Sequence, residues 1–151
     1  MVEIILLWIF YILGATLLLF SLKKPPRRNW LLIYFTTAYF AVFLGNLIVE
    51  YHFLTFPVTL FKHLDGSVLF EFLLFPVICI YYYQTTYHSA IFGIVWQAAV
   101  YSGALTIVES FLEMYTDLIK YLQWDWYYTW ISVFIFMVIV RSSMGLLNNR
   151  P

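Results

Sequence analysis

The chain is 151 residues long, 64% hydrophobic and 23% aromatic, with 11% charged residues and a mean hydropathy of +0.85. Soluble domains carry about 25% charged residues, so this composition excludes an ordinary soluble protein and points to one embedded in lipid. Eight basic and eight acidic side chains cancel to a net charge of zero, which excludes the basic face that nucleic-acid phosphates demand.

Five stretches, approximately residues 4–22, 30–49, 67–83, 89–108 and 127–147, come near the roughly 20 apolar residues that a crossing helix needs. No shift in composition separates them, so the chain reads as a single domain, residues 1–151, of the all-α integral membrane class: a five-helix transmembrane bundle. The first stretch opens with Glu3 instead of a basic segment and lacks a small-residue cleavage site. It reads as a retained helix and not as a signal peptide. The block Lys23-Lys24-Pro25-Pro26-Arg27-Arg28 follows it, and short loops rich in lysine and arginine stay on the cytoplasmic side. The amino terminus is therefore expected outside and the carboxyl terminus inside. Arg141, near the inner end of the fifth stretch, is expected to snorkel to the headgroups.

Tryptophan and tyrosine favour the membrane interface. Trp30, the run Tyr81-Tyr82-Tyr83 and the cluster from Trp124 to Trp130 are read as aromatic belts, with a ligand-stacking platform as the alternative for the last. The loop after the second stretch is apolar: Phe53, Phe56, Leu60, Phe61 and Leu64 recur near helical spacing, and Pro57 suits a first helical turn. This pattern predicts a short interfacial helix. Thr116 and Asp117, as caps before residues 118–122, predict a second one in the other outer loop.

Glu71 lies within Leu69-Phe70-Glu71-Phe72-Leu73-Leu74-Phe75-Pro76, a run with no other ionisable group. A carboxylate at the centre of a lipid-facing helix costs about 2.5–3.5 kcal/mol, so it is expected to face the bundle interior. Pro76 lacks an amide hydrogen and should bend the helix, leaving a carbonyl near Phe72 to be satisfied by another helix or by water. The topology places Asn46 and Glu50, Glu71, and Glu109 and Glu113 at similar depth in the outer leaflet. Each same-helix pair is four residues apart and shares a face. These five are the candidate ligand-binding residues, and Glu71 and Glu109 are the candidates for acid–base chemistry. His52, His63 and Asp65 could add metal ligands, but their spacing matches no recognised motif, so neither a metal nor a cofactor is expected.

The turn Gln84-Thr85-Thr86-Tyr87-His88 is read as a tight connection whose side chains satisfy helix ends; a polar clamp for a headgroup is its functional alternative. Cys79, the single cysteine, can form no intrachain disulfide and is read as a packing residue. No nucleotide loop or Ser/His/Asp arrangement is present, and no internal repeat suggests a transporter.

Four stretches, Lys24-Pro25-Pro26, Leu69 to Pro76, Tyr83-Gln84-Thr85-Thr86-Tyr87-His88-Ser89 and Ile107-Val108-Glu109-Ser110-Phe111-Leu112-Glu113, carry a resemblance. The chain resembles a family of small multi-pass membrane proteins from spore-forming Firmicutes, a family without assigned function. The resemblance implies a bacterial cytoplasmic membrane and supplies no catalytic residue. The expectation is a membrane protein with a polar pocket in the outer leaflet and a binding or assembly role, partnered by membrane lipids, a second copy of itself or another membrane protein. The alternative is an intramembrane enzyme that acts on a lipid or isoprenoid through its carboxylates.

Overall fold

A computed structural model describes residues 1–23, 27–58 and 69–148. Its helices are α1 (Val2–Leu22), α2 (Arg27–Glu50), a π-helix (Leu69–Leu74) running directly into α3 (Phe75–Thr86), α4 (Ile91–Tyr115) and α5 (Trp126–Asn148). Among the described residues the protein is all-α apart from one two-residue ladder, and α1, α2, α4 and α5 are each long and apolar enough to cross a membrane. Their outward faces are apolar: Ile12, Phe35, Phe92, Ile107 and Ile139 all stand exposed. So much exposed hydrocarbon on every side is what a lipid-facing surface requires and water would not tolerate.

The principal core lies where α2, α3, α4 and α5 meet, with Ile33, Ile80, Ala98 and Met137 fully buried. Trp30, Tyr82 and Tyr83 belong to this core, with the rings of Trp30 and Tyr83 meeting edge to face at 5.5 Å. The belt expected from these residues is thereby corrected. Tyr82 can be buried because its hydroxyl donates to the Ile94 carbonyl at 3.1 Å, so the ring packs without stranding a polar atom. Cys79 is buried in the same core.

The third stretch departs from a plain kinked helix. Pro76 occupies the first turn of α3, a position that tolerates proline, and residues 69–74 ahead of it adopt π geometry. The Phe72 carbonyl accepts a hydrogen bond from the Tyr34 hydroxyl of α2 at 2.7 Å. A neighbouring helix thus supplies the partner that the proline withholds. Two glycines let the π-helix pack closely. A Cβ at Gly14 of α1 would come within 2.9 Å of Leu73 and Leu74, and a Cβ at Gly45 of α2 would overlap the Glu71 carboxylate.

α4 extends to Tyr115, seven residues past the expected boundary at 108, so Glu109 and Glu113 are helical. Thr116 closes this helix, its hydroxyl donating to the Leu112 carbonyl at 2.5 Å and accepting from the Leu118 amide at 3.3 Å.

The two interfacial helices expected in the outer loops are not formed by the described residues. Leu54–Thr55 (β1) instead pairs antiparallel with Lys120–Tyr121 (β2), and Phe53 O accepts the Leu122 and Gln123 amides at 3.0 and 2.9 Å. The reason is geometric. β2 lies in the short connection between α4 and α5, where Leu118 and Ile119, adjacent in sequence, are both buried, and the backbone of residues 120–123 finds partners across the two loops. Residues 59–68, with most of the predicted first interfacial helix, lie outside the described residues.

Residue His52 makes the turn out of α2. Its φ is 58°, its amide donates to Val49 O at 3.0 Å, and the Phe53 amide donates to Ile48 O at 3.1 Å. These bonds form a Schellman cap with a non-glycine residue in the left-handed position. Because that conformation costs an L-residue roughly 1–2 kcal/mol, His52→Gly should stabilise the protein by up to about 1 kcal/mol and His52→Val should destabilise it. Thermal unfolding in detergent would measure both shifts, and a glycine variant that melts lower would contradict this account of the turn.

Candidate functional site

A cavity of about 390 Å³ lies between the principal core and the β1–β2 ladder, within the usual range of roughly 300–1,000 Å³ for small-molecule sites. Its wall is hydrocarbon from every helix: Phe10 and Leu17 of α1, Ile48 of α2, Ile78 of α3, Leu105 of α4 and Phe136 of α5. Leu54, Phe56, Ile119 and Trp124 line the end nearest the ladder. Leu7, Leu112, Leu118 and Ile119 pack together beyond it as a second, smaller apolar cluster.

Glu71 and Glu109 both line this cavity, but their surroundings differ. On Glu109, Oε1 accepts hydrogen bonds from the Tyr121 hydroxyl and the Thr129 hydroxyl, each at 2.7 Å, and Thr129 Oγ1 in turn accepts from the Trp124 indole at 2.7 Å. The chain Trp124–Thr129–Glu109–Tyr121 joins α4, β2 and the start of α5. Burial, and next the adjacent Glu109 charge, push the Tyr121 phenol above its ordinary value, so it remains a donor across the physiological range. The Glu71 carboxylate has no hydrogen-bond partner among the described residues. It lies against Gly45, in space that a side chain would fill.

Wide hydrogen bonding in the π-helix directs Glu71 inward. A π turn holds one residue more than an α turn, which rotates the preceding side chains by about 100°, one residue at 3.6 per turn. Phe70, Glu71, Leu74 and Phe75 before the proline, and Val77 and Ile78 after it, all reach the cavity.

The other expected ligand-binding residues are not brought into this wall. Asn46 is exposed, because its neighbour Gly45 faces the cavity and one residue is about 100° around a helix. Glu50, one turn further on the same face, is exposed as well. Glu113 follows Glu109 by roughly 6 Å along the axis, beyond Leu112, and makes no hydrogen bond among the described residues. The pocket expected from Asn46, Glu71 and Glu109 is therefore corrected to Glu71 and Glu109, with Tyr121, Thr129 and Trp124 behind the latter. His52 is exposed at its turn, and the described residues hold no group of three metal-ligating side chains. His63 and Asp65 lie outside the described residues.

Trp124 and Trp130 have separate roles. Trp124 lines the cavity and its ring meets Phe53 at 5.9 Å and Tyr128 at 5.3 Å, whereas Trp126 and Trp130 are exposed. Thr129 and Tyr121 escaped sequence reasoning because a lone hydroxyl carries no periodic signal. The i,i+20 and i,i+12 separations from Glu109 show how far along the chain the partners lie.

Arg141 also has a different role from the one expected. Its guanidinium donates to Thr86 Oγ1 at 3.1 Å, to Thr86 O at 3.0 Å and to Tyr87 O at 3.4 Å, and it sits 4.9 Å from the centre of the Tyr83 ring. It caps the carbonyl end of α3, where the helix dipole is negative, and does not snorkel away. Thr86 Oγ1 donates to Tyr82 O at 2.7 Å and Gln84 Nε2 to Ser21 O at 3.1 Å, so the 84–88 turn uses its polar side chains to satisfy helix ends.

Thr129→Val should cost about 1–3 kcal/mol, because it removes one donor from Glu109 and leaves the Trp124 indole without its acceptor. Tyr121→Phe removes a donor only and should cost less; thermal unfolding that ranks the two the other way would contradict the chain of bonds. Arg141→Lys should destabilise measurably, by about 1 kcal/mol or more, since a point ammonium cannot reproduce the planar fork on three oxygens. A lysine variant with unchanged melting would refute the cap.

Comparison with known proteins finds no match to any family model, curated protein or solved structure.

Proposed function

We propose that this is a multi-pass protein of a bacterial cytoplasmic membrane that binds an amphiphile in the Glu71–Glu109 cavity. The observation that carries the reading is the cavity itself: a mainly hydrocarbon wall, with two carboxyl groups, the Thr129 and Ser132 hydroxyls and the Trp124 indole as its polar features. A packed bundle without a ligand has no need of such a space, since interiors normally close to crystal-like density. The polar end faces the ladder and the hydrocarbon end reaches toward mid-bundle at Leu17 and Ile78. That arrangement matches a molecule with one polar head and one apolar tail.

In this reading the π-helix and α3 form the fifth crossing, with six and twelve residues respectively, just under the usual length of about 20. Basic residues support the orientation with the amino terminus outside. Lys23, Arg28 and Arg141 lie at one end, while the ladder end carries Glu50, Glu113, Asp117 and Asp125 and a Lys120 paired to Asp117 at 3.3 Å. The cavity then opens its polar end toward the outer leaflet. The resemblance to small membrane proteins of spore-forming Firmicutes points to the same kind of membrane.

One observation favours a second reading. Two carboxyl groups share a mainly apolar cavity in unequal surroundings, one held by two hydroxyl donors and one unbonded among the described residues, which is how acid and base are set apart in proton-transfer sites. An intramembrane enzyme acting on a lipid or isoprenoid would use Glu71 and Glu109 in those roles.

Native mass spectrometry of protein released from membranes should detect a retained lipid-like adduct, and Ala41→Trp, which fills the cavity from α2, should lose it while keeping a cooperative thermal transition. An adduct unaffected by the tryptophan, or none in the wild type, would count against binding there. Glu71→Gln and Glu109→Gln distinguish the second reading: folded variants with an unaltered membrane lipid composition would exclude the enzyme.

A further inference from the structure

We infer that the cavity is selective for an amphiphile whose head is a hydrogen-bond donor without negative charge, a hydroxyl or a primary amine, and that it rejects a phosphate head. This inference rests on the amphiphile reading above. It comes from counting which polar capacity at the wall is still open.

Every side-chain donor at the polar end already points into the protein. The Trp124 indole donates to Thr129, the Thr129 hydroxyl donates to Glu109, the Ser132 hydroxyl donates to the Thr129 carbonyl at 3.1 Å, and the Tyr121 hydroxyl behind the wall donates to Glu109. The groups that remain open are acceptors. Glu109 uses Oε1 for both of its bonds, leaving Oε2 open, and both Glu71 oxygens are unbonded among the described residues. A Glu71 carboxyl that takes up a proton still keeps one open acceptor oxygen. Ionised, the two carboxyls present three open acceptor oxygens and no donor.

A phosphate head would meet the opposite of what it needs. It offers only strong acceptor oxygens and negative charge, and phosphate sites answer with arginine, lysine or a row of backbone amides. The described wall contains no lysine, arginine or histidine. The nearby Lys120 is committed to Asp117, and Arg141 caps α3 with all its bonds at the other end of the bundle. Placing an anion beside the ionised carboxyls would set like charges together in a low-dielectric space, where repulsion is least screened. An amine would be attracted there, and a hydroxyl could donate to either carboxyl.

The wall also provides a way in from the side. Leu13, Leu44 and Val108 line the cavity yet remain exposed on the outer surface of the bundle. Among the described residues α1 packs on α2, α3 and the π-helix and has no comparable packing on α4, although Leu7 and Leu112 belong to one apolar cluster. A tail can therefore enter from the hydrocarbon of the membrane between these helices while the head reaches the carboxyls.

The test uses the full chain in detergent and three probes that share one tail: tetradecylamine, tetradecanol and tetradecyl phosphate, with adducts read by native mass spectrometry under titration. The amine and the alcohol should be retained, and the phosphate should bind at least about tenfold more weakly, the loss expected when buried acceptors go unpaired. Glu71→Gln should weaken the amine more than the alcohol, because the amide keeps an acceptor but carries no charge. Phosphate binding as tight as the amine would overturn the head-group inference while leaving the amphiphile reading standing. Absence of all three adducts in protein that melts cooperatively would instead sink the amphiphile reading. Adducts that persist equally in Ala41→Trp would place the probes outside the cavity and overturn both. If Glu71→Gln fails to fold, the three-probe ranking on the wild type still decides the matter.

Discussion

Pro76 has no amide hydrogen, and inside an apolar bundle the carbonyl it leaves open must find a donor within the protein. The architecture around the cavity follows from how that need is met. The proline is placed in the first turn of α3, the preceding residues widen into a π-helix, and Tyr34 reaches across from α2 to the Phe72 carbonyl. Gly14 and Gly45 remove the side chains that would hold the π-helix away. With α1 and α2 close on either side, the Glu71 side chain turns inward against Gly45, and the surrounding helices cannot close over it without burying a carboxyl group among hydrocarbon.

The second carboxyl is handled in the opposite way. Glu109 receives two hydroxyl donors from separate elements, one of them itself buttressed by the Trp124 indole. These bonds fix it in place and tie the α4–α5 connection to the bundle. One acidic group is thus structural on one oxygen and open on the other, while its neighbour is open on both.

The two ends of the bundle are closed by different means. At the turn end, Arg141 gathers the α3 terminus, and its fork satisfies carbonyls that a membrane interior would leave exposed. At the other end, four residues of antiparallel ladder and a Schellman turn at His52 close the loops over Leu118 and Ile119. Between them the principal core is packed, and the cavity lies beside the π-helix, with Phe70, Glu71 and Leu74 in its wall.

Much of this protein could be read from its residues. Hydrophobic length alone located α1, α2, α4 and α5 to within a few residues, apart from the far end of α4, because backbone groups in lipid must be satisfied within a helix whatever the neighbours do. The chemistry of proline and of a lone acidic residue singled out Pro76 and Glu71, and even anticipated an unpaired carbonyl near Phe72. Tertiary structure decided what lies across from these groups. Depth in a membrane does not specify rotation about a helix axis, so Asn46 and Glu50 share a level with the site but point away from it, while Thr129 and Tyr121 complete it from distant parts of the chain. Likewise Arg141 satisfies α3 and not the headgroups, and Trp30 packs in the core and not in a belt. Local sequence determines where a helix must run; only packing determines which of its faces meet.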